Sequence, residues 1–524
     1  MEEEKIAQGT YDFRVMREDG YRYVDKTALL YPLVTRGRDS FFFISRPRRF
    51  GKSLMLSTLE CLFRGERELF KGLAIDQMDY DWESYPILQF SFAGIKSKTI
   101  EAFEEDFKTC LEDAFTAAKA PWNPDISPGA NFRRAIRALV KDTGKPVVIL
   151  IDEYDAPVGH ALADIKLASA IRQELSDFYI QIKNNVGAIR FMMMTGVTRF
   201  TQLSVFSALN NLTDLTMDER YATLLGYTDE ELGANFSKTL HRHAEVMGLS
   251  YEDYREKLRW WYNGYRFSPD CEEKVYNPFA IGQTLGALKR RFTGTWISTG
   301  QTSAVINYFT KNQLVELDYE HIEGVSEEDL DVCGLENIQP ISMLYQGGYL
   351  TIKEYRRSRF TLGIPDEEVR RALNSLLVQK FAGTPSDRYR NLTCQALEEA
   401  DFATFFGNLS DLYAHLTYGS KEARVQEFSF QRILYVLLTS DGSFRVTAED
   451  RQSQGRADLV AETPERVFVF ELKVDGTPQE ALDQIKEKGH AEPYRHCGKE
   501  VHLIGLSFDG ATRRLTGTAA DRLA

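Results

Sequence analysis

The chain has 524 residues, 43% of them hydrophobic and 27% charged, with a formal net charge of −13. That composition is globular and excludes a disordered or low-complexity polymer, and at roughly 150 residues per domain the length holds about three or four domains. The acidic balance excludes nucleic-acid binding through bulk positive charge, so any such contact needs a local patch.

In chain order, residues 41–45 (FFFIS) read as a buried strand that runs straight into RPRRFGKSLMLSTLECLF. The tail of that stretch has helical spacing, with Leu54, Leu59 and Phe63 among its apolar positions, so the order is strand, loop, helix. PILQFSF (86–92), PVVILI (146–151) and IRFMMMTG (189–196) read as further buried strands, separated by amphipathic helices at 100–115 and 167–183. Strands alternating with helices predict an α/β domain from about 15 to 210, with a mainly parallel sheet covered on both faces.

After Asn211 the pattern turns helical, with an acidic segment at 227–236 and an aromatic cluster, RWWYNGYRF, at 259–267. Residues 340–363 alternate around Gly347-Gly348 and predict a hairpin there. Helix is expected again from Asp366 to about Tyr418, and Gly419-Ser420-Lys421 is a natural joint. Beyond it, 427–438 predicts a helix, 444–450 and 456–462 strands, 467–474 a strand and 478–489 a helix, a second α/β unit over 421–524. No repeat recurs at a fixed period. No apolar run approaches the roughly 18 residues of a membrane span, and the MEEEK start is acidic, without the apolar stretch of a secretory signal. Cys61, Cys110, Cys271, Cys333, Cys394 and Cys497 are scattered without a C-x-x-C pair, which speaks against a zinc site or a disulfide framework and for a cytoplasmic location.

The loop after the first strand ends Phe50-Gly51-Lys52-Ser53. In a phosphate-binding loop, backbone N–H groups at a helix N-terminus cradle the phosphates, the lysine reaches the outer ones and the hydroxyl takes Mg²⁺. Arg49, Phe50, Gly51, Lys52, Ser53 and Leu54 are therefore candidate ATP ligands. The full G-x-x-x-x-G-K-[ST] pattern has a Gly where this chain has Arg46, and that Gly normally permits a tight turn with positive φ. About a hundred residues on, the apolar strand 147–151 ends in Asp152-Glu153. Asp152 there can hold Mg²⁺ with Ser53, and Glu153 can orient a water toward the γ-phosphate. Either half alone has a bland alternative, a basic helix end or an acidic loop. Their order, each after a strand, favours a nucleotide site. At the end of strand 191–194, Thr195 can sense the γ-phosphate and Arg199 can neutralise charge in the transition state.

The C-terminal unit carries Gly455-Arg456-Ala457-Asp458 and then Glu471-Leu472-Lys473. Asp458 and Glu471 can meet across neighbouring strands as a hard-oxygen site for Mg²⁺. Lys473, two residues after Glu471, points to the same strand face, where a cation can act on a water and a pentacovalent phosphate. Four apolar residues precede Glu471, which argues against an ordinary surface Glu–Lys pair. Gln484 and Lys488, one turn apart on the next helix, can reach a scissile phosphate, and Glu427 is a candidate extra metal ligand. Residues 421–524 hold 15 basic and 17 acidic side chains, close to balance, which fits locally guided nucleic-acid contact.

These motifs resemble those of a bacterial family that pairs an AAA-ATPase-like N-terminal domain with a C-terminal PD-(D/E)XK nuclease domain. The resemblance spans nearly the whole chain. It runs through Val24-Asp25-Lys26-Thr27, Arg46-Pro47-Arg48-Arg49-Phe50-Gly51-Lys52-Ser53, Ile151-Asp152-Glu153-Tyr154-Asp155-Ala156-Pro157 and Thr195-Gly196-Val197. It continues with Leu209-Asn210-Asn211-Leu212, Trp261-Tyr262-Asn263-Gly264-Tyr265, Val275-Tyr276-Asn277-Pro278-Phe279 and Leu344-Tyr345-Gln346. It ends with Gly348-Tyr349-Leu350-Thr351, the 455–473 signature and Gln484-Ile485-Lys486. The resemblance implies a P-loop NTPase parallel sheet (1–210), a helical lid (211–335), a winged-helix-like and helical connector (336–420) and a restriction-endonuclease-like α/β domain (421–524).

The expected activity is that of an ATP-binding, ATP-hydrolysing protein controlling a Mg²⁺-dependent nuclease, with DNA favoured over RNA, in defence or mobile-element biology. Glu153 would position water in the first site; Asp458, Glu471, Lys473 and Gln484 would act in the second. Two rivals stand beside it: a nucleotide-dependent signalling switch with a non-cutting scaffold, and an RNA nuclease. No membrane partner is expected, and a homo-oligomer or another protein partner stays open.

Overall fold

The computed structural model describes residues 4–37, 40–199, 212–287, 291–295, 319–331, 339–381, 387–416, 427–448, 457–512 and 514–523. These fall into two compact units, the first reaching Glu367 and the second running from Glu368 onward.

In the first unit, β1 (Ser40–Ser45), β2 (Ile87–Ser91), β3 (Val147–Asp152), β4 (Ile189–Gly196) and β5 (Leu212–Asp214) form one sheet in the order β2-β3-β4-β1-β5. Every pairing is parallel. The central strands β1 and β3 are almost wholly apolar and buried along their length because both sheet faces are covered. Phe41 and Phe43 pack with Ile149, Ile151, Met192 and Met194 beneath the helices Ile100–Ala117, Pro128–Thr143 and Ile165–Asn184. Phe42 turns the other way, onto Phe191, which in turn meets Phe63 of the Lys52–Phe63 helix. Each such fully buried Phe contributes roughly 1.5–3 kcal/mol. The sheet does not stop at residue 210: β5 pairs with β1 through Phe41–Leu212 and Phe43–Asp214. A strand of three residues is too short to show a period, so the sequence boundary falls ahead of it.

Beyond β5, Thr228 and Glu231 form a capping box that starts the Asp229–Met247 helix, followed by the helix Tyr251–Tyr262. The aromatic segment then leaves helical geometry at β6 (Asn263–Tyr265), which pairs antiparallel with β7 (Val275–Tyr276). A Cβ on Gly264 would lie 1.8 Å from the Pro365 carbonyl oxygen, so only glycine fits this crossing.

The hairpin expected around Gly347-Gly348 lies elsewhere. Residues Pro340–Gln346 are helical, and the strands are β9 (Thr351–Arg356) and β10 (Arg359–Gly363), joined at Arg357-Ser358. Both turn residues have positive φ, 51° and 59°, the geometry of a two-residue hairpin turn built here without glycine. β8 (Ile322–Val325) completes the sheet β8-β10-β9. Helix and sheet stand where the winged-helix-like element is expected.

In the second unit, β11 (Arg445–Ala448), β12 (Leu459–Glu462), β13 (Arg466–Val474), β14 (Glu500–Phe508) and β15 (Leu515–Arg522) are ordered as numbered. β13 and β14 are parallel and the other pairs antiparallel. The crossover helix Pro478–Glu487 packs on Val467, Val469, Leu503 and Val501 through Leu482 and Ile485. The opposite face, Phe468, Phe470 and Leu472, is covered from the helices Asp387–Glu398, Phe402–Leu416 and Glu427–Asp441. Helices expected to be a connector before residue 421 thus belong to this unit's core, because their apolar faces have the sheet as partner.

Candidate functional sites

The phosphate loop is built from the inside out. Arg46 is fully buried, and its guanidinium donates to the carbonyls of Ser45, Thr216 and Tyr221 while lying 4.1 Å over the Phe267 ring. Burial pushes its pKa down to about 10. The positive-φ positions of the loop are Arg49 (67°) and Gly51 (91°); Arg46 is not one of them, so no glycine is required there. Arg46 serves instead as a pin. Arg49 places its guanidinium 3.7 Å over Phe279, which leaves its backbone rather than its charge for a phosphate. Phe50 meets Tyr265 and Phe267 edge-on, the Asn277 amide donates to the Arg48 carbonyl, and a Cβ on Gly348 would touch Pro47. Motifs of the middle region that carry no chemistry of their own are therefore the backing of this loop.

Gly51 caps the Lys52–Phe63 helix in left-handed geometry, so the N–H groups of Lys52, Ser53 and Leu54 open its first turn. Lys52 is buried and donates to the carbonyls of Arg46 (2.8 Å) and Pro47 (2.9 Å). Burial lowers its pKa, opposed by Glu153, Asp152 and Asp155. Across 99 residues of chain, Ser53 Oγ donates to Asp152 Oδ2 at 2.5 Å, and Thr195 Oγ1 donates to Asp152 Oδ1 at 2.6 Å. A hydroxyl and a carboxylate side by side are hard-oxygen donors of the kind Mg²⁺ takes with retained waters. Glu153 follows at a φ of 50°, a left-handed conformation unusual for Glu and common at functional positions. Burial raises its pKa, opposed by Lys52 and Arg48.

Sequence reasoning names Asp155 within its motif but gives it no role. It is buried and accepts from the backbone N–H groups of Val197 and Thr198, locking the β3 and β4 ends together. Burial raises its pKa against those bonds. Arg199 is engaged by two carboxylates, Asp214 at 2.9 Å and Asp331 at 2.7 Å. Its charge is already matched there, so Arg199 ties the β4 end to β5 and to the segment at 331. Leu209, Asn210 and Asn211 lie outside the described residues.

In the second unit, side chains 467, 469, 471 and 473 share the β13 face under the Pro478–Glu487 helix, which brings Glu471 and Lys473 to Gln484. Gln484 Nε2 donates to Glu471 Oε1, and Lys473 Nζ donates to Gln484 Oε1 at 2.5 Å. Asp458, just before β12, accepts from the Leu472 N–H at 2.7 Å, and Gln431 donates to the Asp458 carbonyl. Burial and the nearby Asp458 carboxylate push Glu471 up to about 8, against Lys473 and Lys488. A carboxyl raised by a neighbouring carboxylate suits a cation beside the pair. Among the described residues no group of three or more His, Cys, Asp or Glu is placed to hold a metal, and Asp458 and Glu471 are the hard-oxygen donors this site offers a cation. His490, unmarked by sequence reasoning, is buried with Nδ1 3.2 Å from Glu471 Oε2. The signal was Gly489, whose φ of 65° turns the chain back after the helix. Gly455 and Arg456 lie outside the described residues, as does the Glu427 side chain.

Among the described residues no helix is long and apolar enough to cross a membrane. Two family models match: one described as "Predicted AAA-ATPase" over residues 7–206, and the PD-(D/E)XK nuclease superfamily over residues 425–517. The chain is also 33% identical, over the full length of both proteins, to a protein of Azotobacter chroococcum mcd 1 described as an "uncharacterized protein in vnfD 5'region". With 7–206 and 425–517 matched and the whole length shared with a relative, the chain belongs to the family that joins an AAA-ATPase-like domain to a PD-(D/E)XK nuclease-like domain.

Proposed function

We propose that this protein binds and hydrolyses ATP in its first unit and that hydrolysis controls Mg²⁺-dependent cleavage of DNA phosphodiesters in its second. The observation that carries the reading is the convergence of Asp458, Glu471, Lys473 and Gln484 on one buried strand face. Asp458 and Glu471 hold the cation, the Lys473 ammonium orients the attacking water and stabilises the developing charge, and Gln484 steadies the phosphate while fixing Lys473 relative to Glu471. Bound Mg²⁺ supplies a Lewis acid at the phosphate. In the first unit, Lys52 exchanges its loop carbonyls for the outer phosphates, Ser53 and Asp152 hold Mg²⁺, Thr195 orients Asp152 and Glu153 positions the attacking water. Incubating the purified full chain with Mg²⁺ and plasmid DNA or RNA, with and without ATP, tests it. DNA cleavage that changes with ATP supports the reading. ATP turnover without cleavage of either polymer favours the non-cutting switch.

A further inference from the structure

The tip of the β9–β10 hairpin concentrates positive charge in a way that folding opposes. Arg356 and Arg359 are direct cross-strand partners, a like-charge pairing that destabilises a hairpin. Between them, Arg357 occupies a left-handed position at φ 51°, where Asn or Gly is the ordinary choice. All three arginines are exposed, as is Tyr355, whose ring packs at a tilt against Phe360, 4.6 Å between centroids. Only part of this charge is answered: Glu354 pairs with Arg356 at 2.8 Å, both exposed, and Asp329 lies near Arg359. Among the described residues no carboxylate is within ion-pair distance of Arg357. In a chain of net charge −13, a protruding cationic tip is where a polyanion can approach.

We propose that Arg356, Arg357 and Arg359 form a contact for the sugar-phosphate backbone of duplex DNA. This rests on the nuclease reading above and supplies the local patch that the acidic chain requires. A phosphate on each guanidinium relieves the Arg356–Arg359 repulsion, so binding and hairpin stability are coupled. Arginine matches phosphate geometry through paired N–H donors, and backbone contact carries no sequence preference.

The test is fluorescence anisotropy of labelled duplex DNA with the full chain in EDTA, so that nothing is cut, over a series of salt concentrations. R356Q/R357Q/R359Q should bind about tenfold or more weakly, and its slope of log affinity against log salt should be shallower by about 2 to 3, near 0.9 per phosphate lost. E354Q should move the other way, to about twofold tighter binding, which a folding defect would not produce. The thermal midpoint of the triple variant should equal or exceed that of wild type. Equal affinity and slope for wild type and triple variant overturn the proposal, as does a loss seen with duplex RNA alone. Wild-type plasmid cleavage in Mg²⁺, run alongside, separates the two readings. If wild type cuts and the triple variant binds unchanged, only the hairpin assignment fails. If wild type neither binds nor cuts, both fail.

Discussion

Ser53 and Asp152 share a hydrogen bond of 2.5 Å although 99 residues separate them, and Thr195 takes the other oxygen of the same carboxylate at 2.6 Å. The ends of β3 and β4 and the first turn of the Lys52–Phe63 helix thus meet on Asp152, at the carboxyl edge where open α/β sheets bind ligands. Glu153 sits immediately beyond, held in left-handed geometry.

From this arrangement, Lys52→Ala should abolish ATP binding, because the loop loses the cation seated inside it. Glu153→Gln should retain binding and lose about 10²- to 10⁴-fold in turnover, the usual worth of a positioned base. Nucleotide titration together with steady-state hydrolysis separates the two effects. Wild-type turnover by Glu153→Gln would remove Glu153 from the chemistry.

The second site should depend on its residues one by one. Asp458→Ala and Glu471→Ala each remove half of the anionic charge available to a cation, and Mg²⁺-dependent cutting should vanish. Lys473→Ala should leave Mg²⁺ affinity nearly intact and slow cleavage by about a hundredfold or more, since the ammonium acts on the developing charge. Plasmid nicking by the three variants, beside metal titration, measures this. A Lys473→Ala protein that cuts at the wild-type rate would place the reaction elsewhere.

Arg199 carries a stability prediction. Its guanidinium bridges Asp214 and Asp331, and burial already raises Asp331 against that pairing. Arg199→Ala leaves two half-buried carboxylates facing each other, at a cost of about 1–3 kcal/mol once partial solvation is allowed for. Denaturant unfolding at neutral pH should show the loss. The gap should narrow in acid, as the raised Asp331 carboxyl takes up its proton. Equal stability at neutral pH would show that the bridge carries no net energy.

The candidate site residues are legible where they are local. Gly51-Lys52-Ser53, Asp152-Glu153 and Glu471-Leu472-Lys473 each lie within a few residues of a strand whose apolar run announces it, so face and direction follow from period alone. What could not be read depends on distant partners. Arg46 looks like a defect in a phosphate loop until Thr216 and Tyr221 supply the carbonyls that bury it. The β9–β10 turn was placed at Gly347-Gly348 because glycine favours positive φ, whereas the chain uses Arg357 and Ser358. His490 reaches Glu471 only because the helix and Gly489 bring it back onto the sheet. Nothing in the sequence around Tyr265, Phe267 and Phe279 announces that they clamp the loop, because their contacts with Phe50 and Arg49 are made across the fold.

The Glu471 carboxyl gives the last prediction. Burial and Asp458 hold its pKa at about 8 in the folded chain, well above the ordinary carboxylate range. A raised pKa means the native state binds a proton that the unfolded state has released, so stability falls as pH rises from the ordinary range toward 8. Below that range both states are protonated and the penalty is absent. Above 8 it is fully present. Glu471→Gln keeps a group that Gln484 and His490 can bond and removes the charge. In metal-free buffer the variant should therefore match wild type in mild acid and exceed it by on the order of 1 kcal/mol or more above pH 8. Added Mg²⁺ should reverse the order, stabilising wild type and leaving the variant unmoved, because only the ionised pair can hold the cation. Thermal melts of both proteins across pH, with EDTA and then with Mg²⁺, give the comparison. A wild-type chain as stable at pH 9 as at pH 6 in EDTA would mean that Glu471 ionises without penalty, and the carboxylate pair would then not be a site strained toward a metal.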